Sequence, residues 1–325
     1  MTATVLAGFR PRRLAHVNLF VSDLGRSLEF YTTVCGLTPV FEEPGIATVF
    51  LSNGNSHHDL ALMEISEQAR VGRDGNVQVS RGRGRAAGLN HLGWELASEA
   101  ELVDAIRRVR ATGARLHRTV DHQISHSAYL FDPDGTYLEM YADASDDWHA
   151  VYAENSGRLI TGNWDPEGAP ADPRERFTAD PDYTVVDGAA LHPLCTARAC
   201  LAVADLDSAL DFYHRLGGLT VLRSGPEGAV LGGTLGLPDL TLLRAGDGLE
   251  PGLSHFGLRL REEADLAAGA ARAAAAGVEP VATVDAAHKK SVVLRDPDGV
   301  LVEFLVPSDP TATLPVPRPA ARFAA

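Results

Sequence analysis

Three side chains able to ligate a transition metal, His16, His91 and Glu139, each sit inside a short run of alternating apolar residues. In a β-strand every second side chain shares a face. Between Leu14 and Val21 the apolar face is Ala15, Val17, Leu19 and Val21, which turns His16 and Asn18 together toward the other side. His91 shares a face with Gly93 and Glu95, opposite Leu92, Trp94 and Leu96, while Glu139 lies with Tyr137 and Tyr141, opposite Leu138 and Met140. Any one of these alone reads as a polar residue on a half-buried strand. Two neutral imidazoles and a carboxylate together can occupy one face of an octahedron and leave positions open, the ligand pattern of non-haem iron centres.

The elements that would position this set occur twice in the chain. FDPDGTYLEM at Phe131 to Met140 returns as RDPDGVLVEF at Arg295 to Phe304, a shift of 164 residues. The same shift carries Gly88-Leu89-Asn90-His91 onto Gly252-Leu253-Ser254-His255 and Thr119-Val120-Asp121 onto Thr283-Val284-Asp285. Upstream, Val21-Ser22-Asp23-Leu24 with Phe30-Tyr31 matches Val203-Ala204-Asp205-Leu206 with Phe212-Tyr213, now shifted by 182. By Asp59-Leu60, which matches Asp239-Leu240, the shift is 180, and an insertion between Glu64 and Gly88, frequent in Gly, Arg and Ser, accounts for the remaining difference and reads as a loop. Each half is thus two sub-units, each opening with a strand and then a helix with apolar spacings of four and three, as in Leu24, Leu28, Tyr31 and in Leu102, Ile106, Val109. Strands rich in Val, Leu and Tyr follow, and Asp-Pro-Asp-Gly makes the last tight turn of the second and fourth units.

His16, His91 and Glu139 in these positions resemble the ligand set of the type I extradiol dioxygenases, within the vicinal-oxygen-chelate superfamily. The resemblance runs from about Arg12 to Val306. It extends to Val120-Asp121-His122 and to Tyr129-Leu130-Phe131 before Asp-Pro-Asp-Gly, and to Ser56-His57-His58-Asp59-Leu60, which looks like the family's acid-base segment. It implies an α+β fold of four βαβββ sub-units paired into two glyoxalase/extradiol-dioxygenase-like domains. It also implies ring cleavage of a catechol-type substrate by O2 with Fe(II), Mn(II) being the other ion this ligand set accepts. His58, His122 and Tyr129 are then the catalytic residues, with Asn18 and His57 beside the substrate. Adjacent residues of a strand project to opposite faces, so only one of His57 and His58 is expected to face the metal. The alternatives are a metal-dependent lyase or isomerase acting on an enediolate, and a small-molecule binding protein, since fold alone does not choose a reaction.

The second half acts as an internal control. His16 falls on Arg198, His58 on Pro238, His122 on Ala286 and Tyr129 on Val293, and only His255 and Glu303 keep their ligand types. Residues 12–143 are therefore expected to form the metal-binding catalytic domain, 144–193 a connector, 194–306 a non-catalytic second domain and 307–325 a tail. A formal charge of -14 argues against a nucleic-acid surface, and the run Arg81 to Arg85 reads as a solvated loop. No run of eighteen apolar residues and no signal peptide is seen, so no membrane partner and a cytoplasmic location are expected. The three cysteines, Cys35, Cys195 and Cys200, form neither a metal knuckle nor a disulfide framework. A homo-oligomer is expected.

Overall fold

The computed structural model describes residues 8–72, 75–155, 162–246, 248–309 and 311–324. Positions 73–74 of the expected insertion, 156–161 of the connector, and 310 and 325 of the tail lie outside the described residues. The first unit is β1 (Arg13–Val21), α1 (Leu24–Glu29), β2 (Pro39–Glu43), β3 (Thr48–Leu51) and β4 (Leu60–Glu64). A short hairpin, β5 (Arg70–Val71) and β6 (Val77–Val79), occupies the insertion read as a loop. The second unit is β7 (Gly88–Glu95), α2 (Glu99–Ala111), β8 (Arg118–Asp121), β9 (Ser125–Phe131) and β10 (Tyr137–Asp143). The connector contains α3 (Trp148–Glu154) and β11 (Gly162–Asn163), the latter paired to the edge of β8. The third unit is β12 (Pro193–Val203), α4 (Leu206–Asp211), β13 (Thr220–Gly225), β14 (Gly228–Gly232) and β15 (Leu240–Arg244), and the fourth β16 (Gly252–Leu260), α5 (Glu263–Ala275), β17 (Ala282–Asp285), β18 (Lys289–Arg295) and β19 (Leu301–Pro307). All four are βαβββ units.

Local chemistry accounts for the helix starts. Asp23 accepts from the Arg26 N–H, Ser98 from Glu101 and Asp205 from Asp207 and Ser208, each capping a helix N-terminus. In α2, Glu99 and Glu101 lie in the first turn and Arg108 and Arg110 in the last, matching the helix dipole. Leu102, Ile106 and Val109 are buried where α2 packs on β9 and β10, in a core shared with Leu92 and Trp94. Leu92 and Trp94 thus face this core, which leaves His91 and Gly93 on the opposite face of β7.

Each half builds one continuous sheet in which the first strands of its two units pair antiparallel at the centre. The orders are β11-β8-β9-β10-β7-β1-β4-β3-β2 and β13-β14-β15-β12-β16-β19-β18-β17. The pairing of β1 with β7 is irregular at two places, with Ala15 the extra residue in β1 and Asn90 the extra residue in β7, bulges that strict period-two reading does not show.

The Asp-Pro-Asp-Gly turns also join the halves. Asp132 Oδ1 accepts from the Asp134 and Thr136 N–H groups, at 3.0 and 2.7 Å, and Gly135 takes the positive φ of 86° that the turn needs. Its other oxygen, Oδ2, accepts from Tyr213 Oη of the third unit at 2.9 Å, and reciprocally Asp296 Oδ2 accepts from Tyr31 Oη at 2.9 Å. Both tyrosines sit in π-helical turns, Phe30–Val34 and Phe212–Leu216, that extend α1 and α4. A second reciprocal pair ties the central strands: Thr196 N donates to Asp59 Oδ1 at 3.1 Å, and Leu14 N to Asp239 Oδ1 at 3.3 Å. Tyr213→Phe leaves a buried carboxylate oxygen without its donor and should cost about 1–3 kcal/mol in urea unfolding, with Tyr31→Phe adding a similar amount. Unchanged stability in the double variant would remove these bonds from the forces joining the halves.

Candidate metal centre

β7 lies between β1 and β10, and its Gly93 is the register partner of His16 on one side and Glu139 on the other. A Cβ at Gly93 would fall 1.9 Å from His16 Nε2, so the missing side chain is what lets the imidazole lie across β7. His16 Nε2 then reaches Glu139 Oε2 at 3.1 Å, and His91 Nε2 reaches the same oxygen at 3.0 Å. All three residues are buried, and their ligand atoms lie within 4.8 Å of one another.

The surroundings indicate whether a cation fits. Asn90 Oδ1 accepts from Arg83 Nη2 at 2.9 Å, which fixes it as an acceptor, and His91 Nδ1 lies 3.3 Å from it. With its proton on Nδ1, His91 turns a bare Nε2 lone pair toward a carboxylate oxygen, and that buried Nε2 has no hydrogen-bond partner. Two lone pairs facing each other in a buried site call for a cation between them, so the residues fit a metal. Glu139 is steadied by Ser127, whose Oγ donates to Oε1 at 2.6 Å. His16 is held between rings, with His58 stacked at 4.0 Å and Tyr141 at 5.3 Å.

His57 and His58 correct the alternation argument. β4 begins only at Leu60, so the two histidines precede the strand, and both border the same cavity. His57 Nδ1 lies 3.1 Å from Asp143 Oδ1 and its carbonyl accepts from Tyr152 Oη at 3.1 Å. His58, by contrast, has two buried ring nitrogens and no partner for either. His16, His57 and His58 form a second group of donors within 4.8 Å, sharing His16 with the first. His122 Nε2 is 2.9 Å from Tyr129 Oη and 3.6 Å from Glu139 Oε1, and Asn18 brings a buried, unpartnered Oδ1 to the same cavity.

That cavity measures about 80 Å³ and is walled by Phe50, Ile46, Met63 and Val79 on its apolar side. Gln78 and Val79 come from the insertion and Tyr152 from the connector, none of which the sequence had marked, and Arg83, expected in a solvated loop, is instead turned into the cavity wall against Asn90 and Tyr137. Ser127 and its counterpart Ser291, which donates to Glu303 at 2.6 Å, do carry a sequence signal, because the shift of 164 preserves them both.

Burial pushes His16 down to about 4 despite the pull of Glu139, and pushes His122 down to about 4. Burial, then the nearby His16 and His57, hold His58 well below the usual histidine range. For Glu139 burial acts upward, but the close approach of His16 and His91 outweighs it and keeps the carboxyl well below the ordinary value. At neutral pH His16 and Glu139 are therefore in the states a metal requires. These groups bind fewer protons folded than unfolded, so their stabilisation is present above the unfolded values and lost as pH falls. The metal-free chain should lose stability from about pH 6.5 down to about 4, by up to about 1.4 kcal/mol per pH unit for each coupled proton. Urea unfolding of chelator-treated protein across that range measures it, and a flat profile would contradict the assignment of buried neutral imidazoles.

The second half repeats the row with different residues. Gly257 is flanked by Arg198 and Glu303 in register, and a Cβ there would meet Arg198 Cγ at 2.6 Å. Lys289 Nζ donates to Glu303 Oε1 at 2.8 Å, Arg198 Nε stands 3.6 Å from Oε2, and His255 Nε2 is 4.0 Å away. Ammonium and guanidinium thus occupy the surroundings of a carboxylate that a metal would otherwise neutralise, and no metal-binding group is found there among the described residues. The expected tail is also folded in, with Phe323 5.0 Å from the His255 ring. One metal per chain should bind by elemental analysis, lost in His91→Ala and retained in His255→Ala. Glu303→Ala, which strands two buried cations, should cost about 3–5 kcal/mol. Two equivalents of metal, or retention in His91→Ala, would overturn this division.

The repeated βαβββ units and the buried histidine–carboxylate row define a class. The model of the Glyoxalase/Bleomycin resistance protein/Dioxygenase superfamily matches residues 13–140 and 195–304, and the chain belongs to that superfamily. Among curated relatives, Biphenyl-2,3-diol 1,2-dioxygenase 2 of Rhodococcus globerulus is 26% identical over 161 residues, covering 50% of this chain and 77% of that protein. Catechol-2,3-dioxygenase of Bacillus subtilis (strain 168) is 28% identical over 210 residues, covering 64% of this chain and 66% of that one. The crystal structure of a Mn(II)-bound glyoxalase from Novosphingobium aromaticivorans shares the fold, with a TM-score of 0.65 at 18% identity over 97% of this chain and 90% of that one. No helix among the described residues is long and apolar enough to cross a membrane.

Proposed function

We propose that the chain is an extradiol ring-cleaving dioxygenase that acts on a catechol-type substrate and O2, with Fe(II) or Mn(II) held by His16, His91 and Glu139. The observation that carries this reading is that His91 and Glu139 of the ligand row, the unpartnered His58 and the His122–Tyr129 pair all open on one small, largely apolar cavity, with His16 directly behind against His58 and Glu139. The dioxygenase relatives support the substrate class. A bound metal would supply adjacent coordination positions for the substrate oxygens and dioxygen, and a path for electron density between them. The reaction breaks a ring carbon–carbon bond outside the two hydroxyls, and both atoms of O2 finish in the product.

The side chains around the cavity divide the remaining work. His58 is neutral and has free nitrogens, so it can accept the proton of a substrate hydroxyl and return it later. The proton then sits beside the anion it came from, and that attraction offsets the penalty burial places on a charged imidazole. His122, also neutral, has an N–H to offer oxygen as it gains negative character. Tyr129, whose phenol burial raises well above the usual range, stays protonated as a second donor linked to His122. Phe50, Ile46 and Met63 present apolar surface to a flat ring and keep water from it. Asn18 and His57 complete the substrate surroundings.

Anaerobically reconstituted protein, given a panel of catechols and then oxygen, should consume one O2 per ring opened. Turnover without oxygen would instead move the chain to the lyase or isomerase reading. Rapid mixing of the catechol complex with oxygen separates the two imidazoles. His122→Phe should bind catechol normally and react with oxygen about 10²- to 10³-fold more slowly. His58→Phe should slow proton transfer by about 10²- to 10⁴-fold while metal content survives. Wild-type single-turnover rates in both would remove these residues from the mechanism.

A further inference from the structure

A second cavity of about 320 Å³ lies between the two halves and shares no lining residue with the metal centre. Four guanidiniums border it, those of Arg12, Arg13, Arg198 and Arg259. Their charge is only partly neutralised. Arg12 and Arg13 share the one carboxylate of Glu95, at 2.7 and 2.9 Å, and Arg198 shares Glu303 with Lys289. Arg259 makes no ion pair among the described residues, and its buried Nε has no hydrogen-bond partner. Arg198 is 3% exposed and likewise has a buried Nε with no hydrogen bond. The acid on this wall, Asp239, is turned onto the backbone N–H groups of Leu14 and Gly233, and burial pushes it up to about 7, so its opposing charge is reduced at neutral pH.

The strand register brings these two guanidiniums, each with an Nε that makes no hydrogen bond, together. Arg198 pairs with Gly257 across β12 and β16, and Arg259 follows Gly257 by two residues on the same face. Diagonal neighbours of this kind are within reach of one ligand group when their side chains are long. Apolar surface faces them: Leu237, Leu305 and Phe177, the last lying under the Arg12 guanidinium at 3.2 Å.

We propose that this interface cavity binds an organic monocarboxylate with a flat apolar body, its carboxylate held by Arg198 and Arg259 and its body against Leu237 and Phe177. Guanidinium forks match a carboxylate in geometry as well as in charge. The apolar wall selects an organic acid over an inorganic anion. The site is independent of the dioxygenase reading, because its residues lie outside the metal centre.

Titration calorimetry of the metal-loaded chain with 2-naphthoate tests it. One molecule per chain should bind, with 2-naphthamide and inorganic phosphate each weaker by about tenfold or more. Arg259→Gln should weaken 2-naphthoate by a similar factor, and so should Leu237→Trp, which places bulk at the partly exposed mouth of the cavity. Metal content equal to wild type shows that each variant is folded, and either variant alone suffices if the other fails that check. Absence of saturable binding, phosphate binding as tight as 2-naphthoate, or affinity unchanged by the variants would overturn the proposal. The last result would place the ligand elsewhere, for instance at the metal.

Discussion

A carboxylate buried at the centre of each half is the constraint that the other features answer. Glu139 and Glu303 are 4% and 0% exposed, and an ion removed from water at such a position must be met by positive charge or hydrogen-bond donors. The second half answers with Lys289 and Arg198. The first half supplies Ser127 and a His16 imidazole that burial keeps neutral, which leaves room for compensation by a cation from outside the chain. The same backbone row, with a glycine in the middle to let a long side chain cross, therefore serves a self-neutralised core in one copy and the proposed cation site in the other.

The repeated and unrepeated parts of the chain have different tasks. Repeated residues build the frame: the capping aspartates, the central antiparallel pair, and the Asp-Pro-Asp-Gly turns whose second oxygen reaches a tyrosine of the opposite half. Unrepeated residues shape the cavity, since the hairpin insertion brings Val79 and Arg83 and the connector helix brings Tyr152. A rigid frame with variable walls is the usual division between scaffold and binding surface.

This division explains what the sequence disclosed. That His16, His91 and Glu139 come together was legible from the alternation around each, even though the β1–β7 pairing is irregular at Ala15 and Asn90. The four βαβββ units followed from the same repeat. His57 and His58 were misread because alternation holds only inside a strand, and their segment enters β4 two residues later. Tyr152 and Asp143 meet His57 from outside the segment that carries it, and nothing local announces such a meeting. Lys289 was invisible as a substitute for a metal, because its significance depends on the distance to Glu303 and not on any motif.

Charge balance joins the fold to the proposed chemistry. A divalent ion beside one carboxylate and neutral imidazoles leaves a single positive charge in a cavity with an apolar wall. A catechol that has lost one proton brings that total to zero, the least costly state for a region of low dielectric. Loss of the second proton would make the site negative unless the proton stays close, and His58, stacked on His16 with both nitrogens free, is placed to keep it there. An imidazole whose own environment disfavours a charge becomes a good temporary acceptor only while the anion is present. On the proposed function, the depressed basicity of His58 would make proton uptake depend on substrate.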